Sequence, residues 1–219
     1  MKKIFLSLTM LLFTIAAFSQ QQFKPVKIDS LVTISMPVGY QLKDTLGQHI
    51  YGANGMLGYM TVIVAPNEKN NAPLKKEKDL NKVLKDYITH IQGQSSGGSA
   101  LHVRDTTVGT LKAKAFTLKS DDGTGTFQFI NFVLIYTQDN TYTFEYVYPS
   151  ERQELVKDEY KAFISSIKLS PELQRNDQYL SPDTGMSSTA KIEIYGSVTL
   201  VIAFVIVLLV RKKNNLIVG

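Results

Sequence analysis

The side chains able to do chemistry are few. His49, His90 and His102 are the only histidines among 219 residues, and cysteine is absent. Metal sites want ligands at i and i+4 or in clustered pairs, and no histidine here has such a partner in sequence. A metal-dependent hydrolase would need these three to converge in space with carboxylates such as Asp86 or Asp105. His90 falls near the end of a helical pattern, where its cation would suit the helix dipole. Serine hydrolysis wants a nucleophile on a strand-to-helix elbow. The run Ser95-Ser-Gly-Gly-Ser99 follows a helix instead and reads as a flexible connector. Without cysteine, thiol catalysis is excluded. Gly52, Gly55 and Gly58 lie between strand patterns and open no helix, which argues against a phosphate cradle. Asp121-Asp-Gly-Thr-Gly125 lacks the length and closing Glu of a calcium loop and reads as a hairpin turn. The sequence assigns no catalytic, cofactor-binding or metal-ligating residue, and no cofactor.

Two surfaces are candidates for binding. Lys75, Lys76, Lys78, Lys82 and Lys85 crowd one helix, partly balanced by Glu77, Asp79 and Asp86, and read as a solvated face. An anionic lipid surface or acidic partner is the functional alternative. Tyr136, Tyr142, Phe144, Tyr146 and Tyr148 load the last hairpin with aromatics. Core packing accounts for one of its faces, and any exposed remainder would bind.

These residues are carried on alternating strand patterns and two helical stripes. Strands are expected over Leu31–Met36, halted by Pro37-Val-Gly39, then over Gln48–Asn54 and Gly58–Ala65. Leu80, Val83, Leu84, Tyr87, Ile88 and Ile91 then form the stripe of an amphipathic helix that Gly93 closes. Four strands follow as an antiparallel meander, at Leu101–Val108, Leu111–Lys119, Thr126–Tyr136 and Tyr142–Tyr148. A second helix buries Val156, Tyr160, Phe163, Ile164 and Ile167. The expected fold class is α+β: an antiparallel sheet of about seven strands covered by two amphipathic helices, plus one C-terminal transmembrane helix.

The ends carry the net charge. Between Gln20 and Glu193 the 19 acidic residues meet 24 − 5 = 19 basic ones, so the +5 of the chain belongs to targeting and implies no nucleic acid. Residues 1–19 read as a signal peptide: Lys2 and Lys3, an apolar run, then Ala17-Phe-Ser19 at the exit. Residues 20–169 are the extracytoplasmic domain, and 170–191, rich in Ser, Pro, Asp and Gln, a flexible tether. Residues 192–210 read as a transmembrane helix, with Tyr195 at one interface and Leu200, Phe204 and Leu208 in the apolar span. Its uncharged run covers about 25 Å, enough for a hydrocarbon core. Arg211, Lys212 and Lys213 open a cytoplasmic basic tail over 211–219. Ser181-Pro-Asp-Thr-Gly185 is similar to a cell-wall sorting signal, with Ser181 where such signals have Leu.

Two segments carry a resemblance. Ile34-Ser-Met-Pro-Val-Gly-Tyr40 is similar to a strand ending in Pro-x-Gly-aromatic, and Phe163-Ile-Ser-Ser-Ile-Lys-Leu169 to a terminal helix, of the PsbP-like family. That family includes the extrinsic photosystem II subunit and a Ran-binding nuclear import factor. Many members have Trp where Tyr40 stands, and this chain has no Trp. The resemblance covers residues 23–169 and implies an α/β/α sandwich with no reaction, since members mostly act as binding or assembly subunits. The expected role is a membrane-tethered extracytoplasmic binding or assembly module without catalytic activity, its partners the membrane and a candidate envelope protein. The alternatives are a small apolar-ligand or lipid-binding domain, and a metal-dependent hydrolase using clustered histidines.

Overall fold

A computed structural model describes residues 23–68, 72–95, 98–121 and 127–180. In chain order these form β1 (Phe23–Lys27), β2 (Val32–Pro37), β3 (Gln41–Thr45), β4 (Gln48–Asn54), β5 (Tyr59–Pro66) and α1 (Glu77–Gln94). Then come β6 (Ser99–Val108), β7 (Leu111–Asp121), β8 (Phe127–Tyr136), β9 (Asn140–Pro149), α2 (Lys157–Ser165) and β10 (Lys168–Leu169). Seven strands make an antiparallel sheet in the order β3-β4-β5-β9-β8-β7-β6, and β1-β2-β10 make a small second sheet.

The period of two that writes a strand also divides its side chains between two faces. Along β9, Tyr142, Phe144, Tyr146 and Tyr148 are buried against the small sheet and α2, with Ile34, Met36, Val62, Val133 and Phe163. These four hairpin aromatics are thus core, while Tyr136 is half-buried on the α1 side. Thr141, Thr143 and Glu145 point to the opposite face, which α1 covers only in part. There Leu80, Leu84 and Ile88 pack on Phe116, Leu118, Phe132 and Leu134. The Phe116 and Phe132 rings stack with centroids 4.5 Å apart. The described part is therefore α+β, a seven-stranded antiparallel sheet between α1 and a layer of α2 plus the small sheet.

Several boundaries differ from expectation. The sheet does hold seven strands, but Val32–Pro37 leaves it for the small sheet and Gln41–Thr45 takes its place. That strand, Gln-Leu-Lys-Asp-Thr, is an exposed edge with one apolar residue, so hydrophobic alternation cannot reveal it. α1 runs one residue past Gly93. Phe163–Leu169 is not all helix: α2 stops at Ser165, and Lys168 and Leu169 pair with Thr33 and Val32.

The largest correction concerns the tether. Ser170–Leu180 packs on the domain, burying Leu173, Gln178 and Tyr179. The Gln178 amide donates to the carbonyls of Lys112 and Tyr136, both at 2.8 Å, and accepts from Lys112 N–H at 2.8 Å. Leu180 N–H donates to Leu74 O at 2.9 Å. Two anchors and a hydrogen-bonded amide have no period, which is why the segment reads as linker. Among the described residues no helix is long and apolar enough to cross a membrane. The signal segment, Ser181–Gly185, Tyr195, Leu200, Phe204, Leu208, Arg211, Lys212 and Lys213 lie outside the described residues.

Candidate functional site: a groove beside the first helix

The three histidines are kept apart. His49 on β4 holds Asp44 of β3 at 2.6 Å, His90 on α1 accepts from Gln94 at 2.9 Å, and His102 occupies a bulge in edge strand β6 with φ of 54°. Among the described residues no three His, Asp or Glu side chains form a group able to hold a metal ion. The arrangement required for a histidine-based metal hydrolase is therefore missing from them.

The evenly spaced glycines have a different use. Glu159 of α2 accepts the N–H groups of Met56 and Leu57 at 2.6 and 2.8 Å and the Tyr146 hydroxyl at 2.8 Å. The β4–β5 turn does cradle an anion, but it is the chain's own carboxylate. A Cβ at Gly55 would stand 2.4 Å from Glu159 Oε1, and one at Gly58 2.6 Å from the Val147 carbonyl. Gly52, for its part, lies beneath the Tyr59 ring. Lys75 and Lys76 just before α1, and Lys78, Lys82 and Lys85 on it, are all exposed.

What the fold leaves open is the half of the sheet that α1 does not reach. The helix sits over β7 and β8, so its stripe is only half used. Leu80, Leu84 and Ile88 are buried, whereas Val83, Tyr87 and Ile91 stay half-exposed. Beside Tyr87 and Ile91 runs a groove of about 500 Å³. Its floor comes from cross-strand neighbours in register: Glu145 beside Phe132, Thr143 beside Ile63, and Thr141 beside Ala65. His90, Gln94 and Ser95 continue the helical wall, and Gln48, Pro66 and Asn67 form the far rim.

Two groups on this floor lack what a closed core supplies. Thr143 is 2% exposed, and its hydroxyl has no hydrogen-bond partner. Two residues along β9, burial pushes the Glu145 carboxyl up to about 7, with no charge or hydrogen bond contributing. Among the described residues lining the groove there is no Lys or Arg. The neighbouring Thr141 is by contrast satisfied: its hydroxyl donates to Asn67 Oδ1 at 2.9 Å, and Asn67 donates to Thr137 O at 2.7 Å. Buried polar atoms are ordinarily paired, since an unmade hydrogen bond costs about 1–3 kcal/mol. A threonine nucleophile needs a base within hydrogen-bond reach, and Thr143 has none.

Sequence reading missed Thr143 and Glu145, although a signal was present. Glu145 is the one charge in an otherwise uncharged strand from Asn140 to Pro149, and the α1 stripe is wider than three buried residues require.

A second cavity, of about 370 Å³, lies on the other face between α2 and the β6–β7 end of the sheet. Val108, Ala115, Val133, Ile164 and Ile167 make it mainly apolar, with Arg104 and Lys161 also lining it.

No protein-family model matches the sequence, and no curated protein matches it significantly. Among solved structures, the chain is similar to cyanobacterial PsbP (CyanoP) from Synechocystis sp. PCC 6803, at 11% identity and a TM-score of 0.49. That match covers 70% of this chain and 95% of the other. It is also similar to LpqN of Mycobacterium tuberculosis, a protein involved in cell envelope biogenesis, at 12% identity and a TM-score of 0.47, covering 68% and 91%. A PsbP is thus among the folds similar to this one, and PsbP-like proteins are the family that Ile34–Tyr40 and Phe163–Leu169 resemble in sequence. At these scores the likeness is one of fold outline, and the functional reading rests on the groove alone.

Proposed function

We propose that this chain is a membrane-tethered extracytoplasmic binding module without catalytic activity, and that its ligand lies in the groove between α1 and the uncovered half of the sheet. One observation carries the binding reading: an unpaired hydroxyl and an unpaired carboxyl lie on the floor of an open groove whose lining is part polar and part apolar. Groups of this kind cost a fold stability, and a ligand that pairs with them offsets that cost. The address is supported by the chain's charged borders: Lys2 and Lys3 before one apolar run, Arg211, Lys212 and Lys213 after the other, and a neutral body between. An envelope protein remains a candidate partner. A second reading, a carrier of apolar ligands, is favoured by the mainly apolar cavity beside α2.

The test uses full-length protein in lipid nanodiscs with labelled isoleucine methyl groups and 2-phenylethanol as a neutral probe. Shifts at Ile63, Ile91 and Ile130, with Ile28 and Ile34 unmoved and the effect lost in Ala65→Trp, are the expected result. Unmoved Ile63 and Ile91, or equal movement of Ile34, would overturn the groove. Labelling of Lys82 by an impermeant amine reagent on intact cells checks the address.

A further inference from the structure

The chemistry of the groove narrows the class of ligand, an inference that rests on the binding reading above. Glu145 and Thr143 are residues i+2 and i of β9, their Cα atoms about 7 Å apart along one face of the strand, and both line the groove. A buried carboxylate is tolerated when a cation is paired with it. At the surface the domain pairs carboxylates with its own lysines: Lys114 meets Asp105, and Lys112 meets Glu77 at 2.6 Å. Among the described lining residues of the groove no such cation exists.

The candidates can be separated by their donors and charge. A carboxylate or phosphate ligand would face Glu145 with like charge and no compensating Lys or Arg. A calcium ion takes 6–8 oxygens, and one carboxylate with one hydroxyl falls far short. A neutral alcohol or amide can hydrogen-bond to Thr143, but it leaves the carboxylate uncompensated. A primary ammonium offers three donors and a full positive charge, and charge-assisted bonds are roughly twice as strong as neutral ones. Beside the polar pair, Tyr87, Ile91, Ile63 and Phe132 give apolar surface, two of them aromatic rings of the kind that also attract cations.

We infer that the groove takes a small primary amine with an apolar body, its ammonium held between the Glu145 carboxylate and the Thr143 hydroxyl oxygen. Binding then requires the ionised carboxylate. The titratable groups lining the groove are Glu145 from β9 and Tyr87 and His90 from α1; the lining residues of β5, β7 and β8 contribute none. Because Glu145 titrates at about 7, binding at pH 6 releases a proton from it, and binding at pH 8 does not.

The experiment compares phenethylamine with 2-phenylethanol, its neutral counterpart in shape, on the full chain in nanodiscs by calorimetry and methyl shifts. Phenethylamine should bind at least tenfold tighter than the alcohol at pH 8, and its affinity should rise about tenfold from pH 6 to pH 8, following the ionised fraction of one carboxyl. In Glu145→Gln the pH dependence and the preference for amine should both vanish while alcohol binding stays. Equal binding of amine and alcohol at pH 8, or an amine affinity indifferent to pH in the unmodified chain, would overturn the amine assignment and leave the groove standing. Binding of neither probe would overturn both.

Discussion

On one face of the large sheet, Tyr142, Phe144 and Tyr146 lie under a second sheet and a helix; on the other, Thr141, Thr143 and Glu145 of the same strand lie partly under a groove. Both sets arise from one alternating sequence, and both include polar atoms out of reach of water. Their treatment differs. The Tyr142 hydroxyl donates to Asp29 at 2.6 Å, that of Tyr146 to Glu159 at 2.8 Å, and that of Tyr51 to the Ile28 carbonyl at 2.8 Å. Asp29 also caps the turn into β2 by accepting from Leu31 and Val32 N–H. Across the sheet, the Thr143 hydroxyl and the Glu145 carboxyl have no such partners. On the groove side Thr141 is paired with Asn67, and the Thr143 hydroxyl and Glu145 carboxyl are the groove groups left for something else to complete.

Truncation of a side chain should separate the faces most sharply. Phe144→Ala, at a fully buried site, is expected to cost about 3–5 kcal/mol in denaturant unfolding, against roughly 1–2 kcal/mol for Ile63→Ala on the groove floor. Equal costs would break the comparison.

The next effect is in pH. Glu145 titrates near its usual 4.5 when unfolded and at about 7 when folded. Below the lower value both states hold the proton and the residue has no effect. Between the two the unfolded chain releases its proton first, so stability falls as pH rises and levels off above 7, a loss of about 3 kcal/mol. Glu145→Gln should flatten that decline, raising stability at pH 8 and not at pH 4, as read from denaturation midpoints. An unchanged pH profile would place the carboxyl in water.

The smallest effect sharpens the comparison at a single atom. Thr143→Val keeps the shape of the side chain and removes the unpaired hydroxyl, so it should stabilise the free protein by about 1 kcal/mol. Thr141→Val, which breaks a bond to Asn67, should destabilise by a similar amount.

Much of this was written along the chain. Alternation in Leu111–Lys119 and Tyr142–Tyr148, and the stripe from Leu80 to Ile91, determine strands, a helix and the α+β class, because burying apolar surface demands those periods. The charged borders of the apolar ends are likewise a matter of local composition, and they direct the expected address without any fold. Tertiary structure alone decided that α1 stops short of β9 and β5, that Gln178 and Tyr179 fasten a segment of linker composition, and that Glu145 lies half-buried in the groove with its carboxyl unpaired. Those outcomes depend on which strands become neighbours and how far a helix reaches across them. Such contacts join residues distant in sequence, and no local period encodes them.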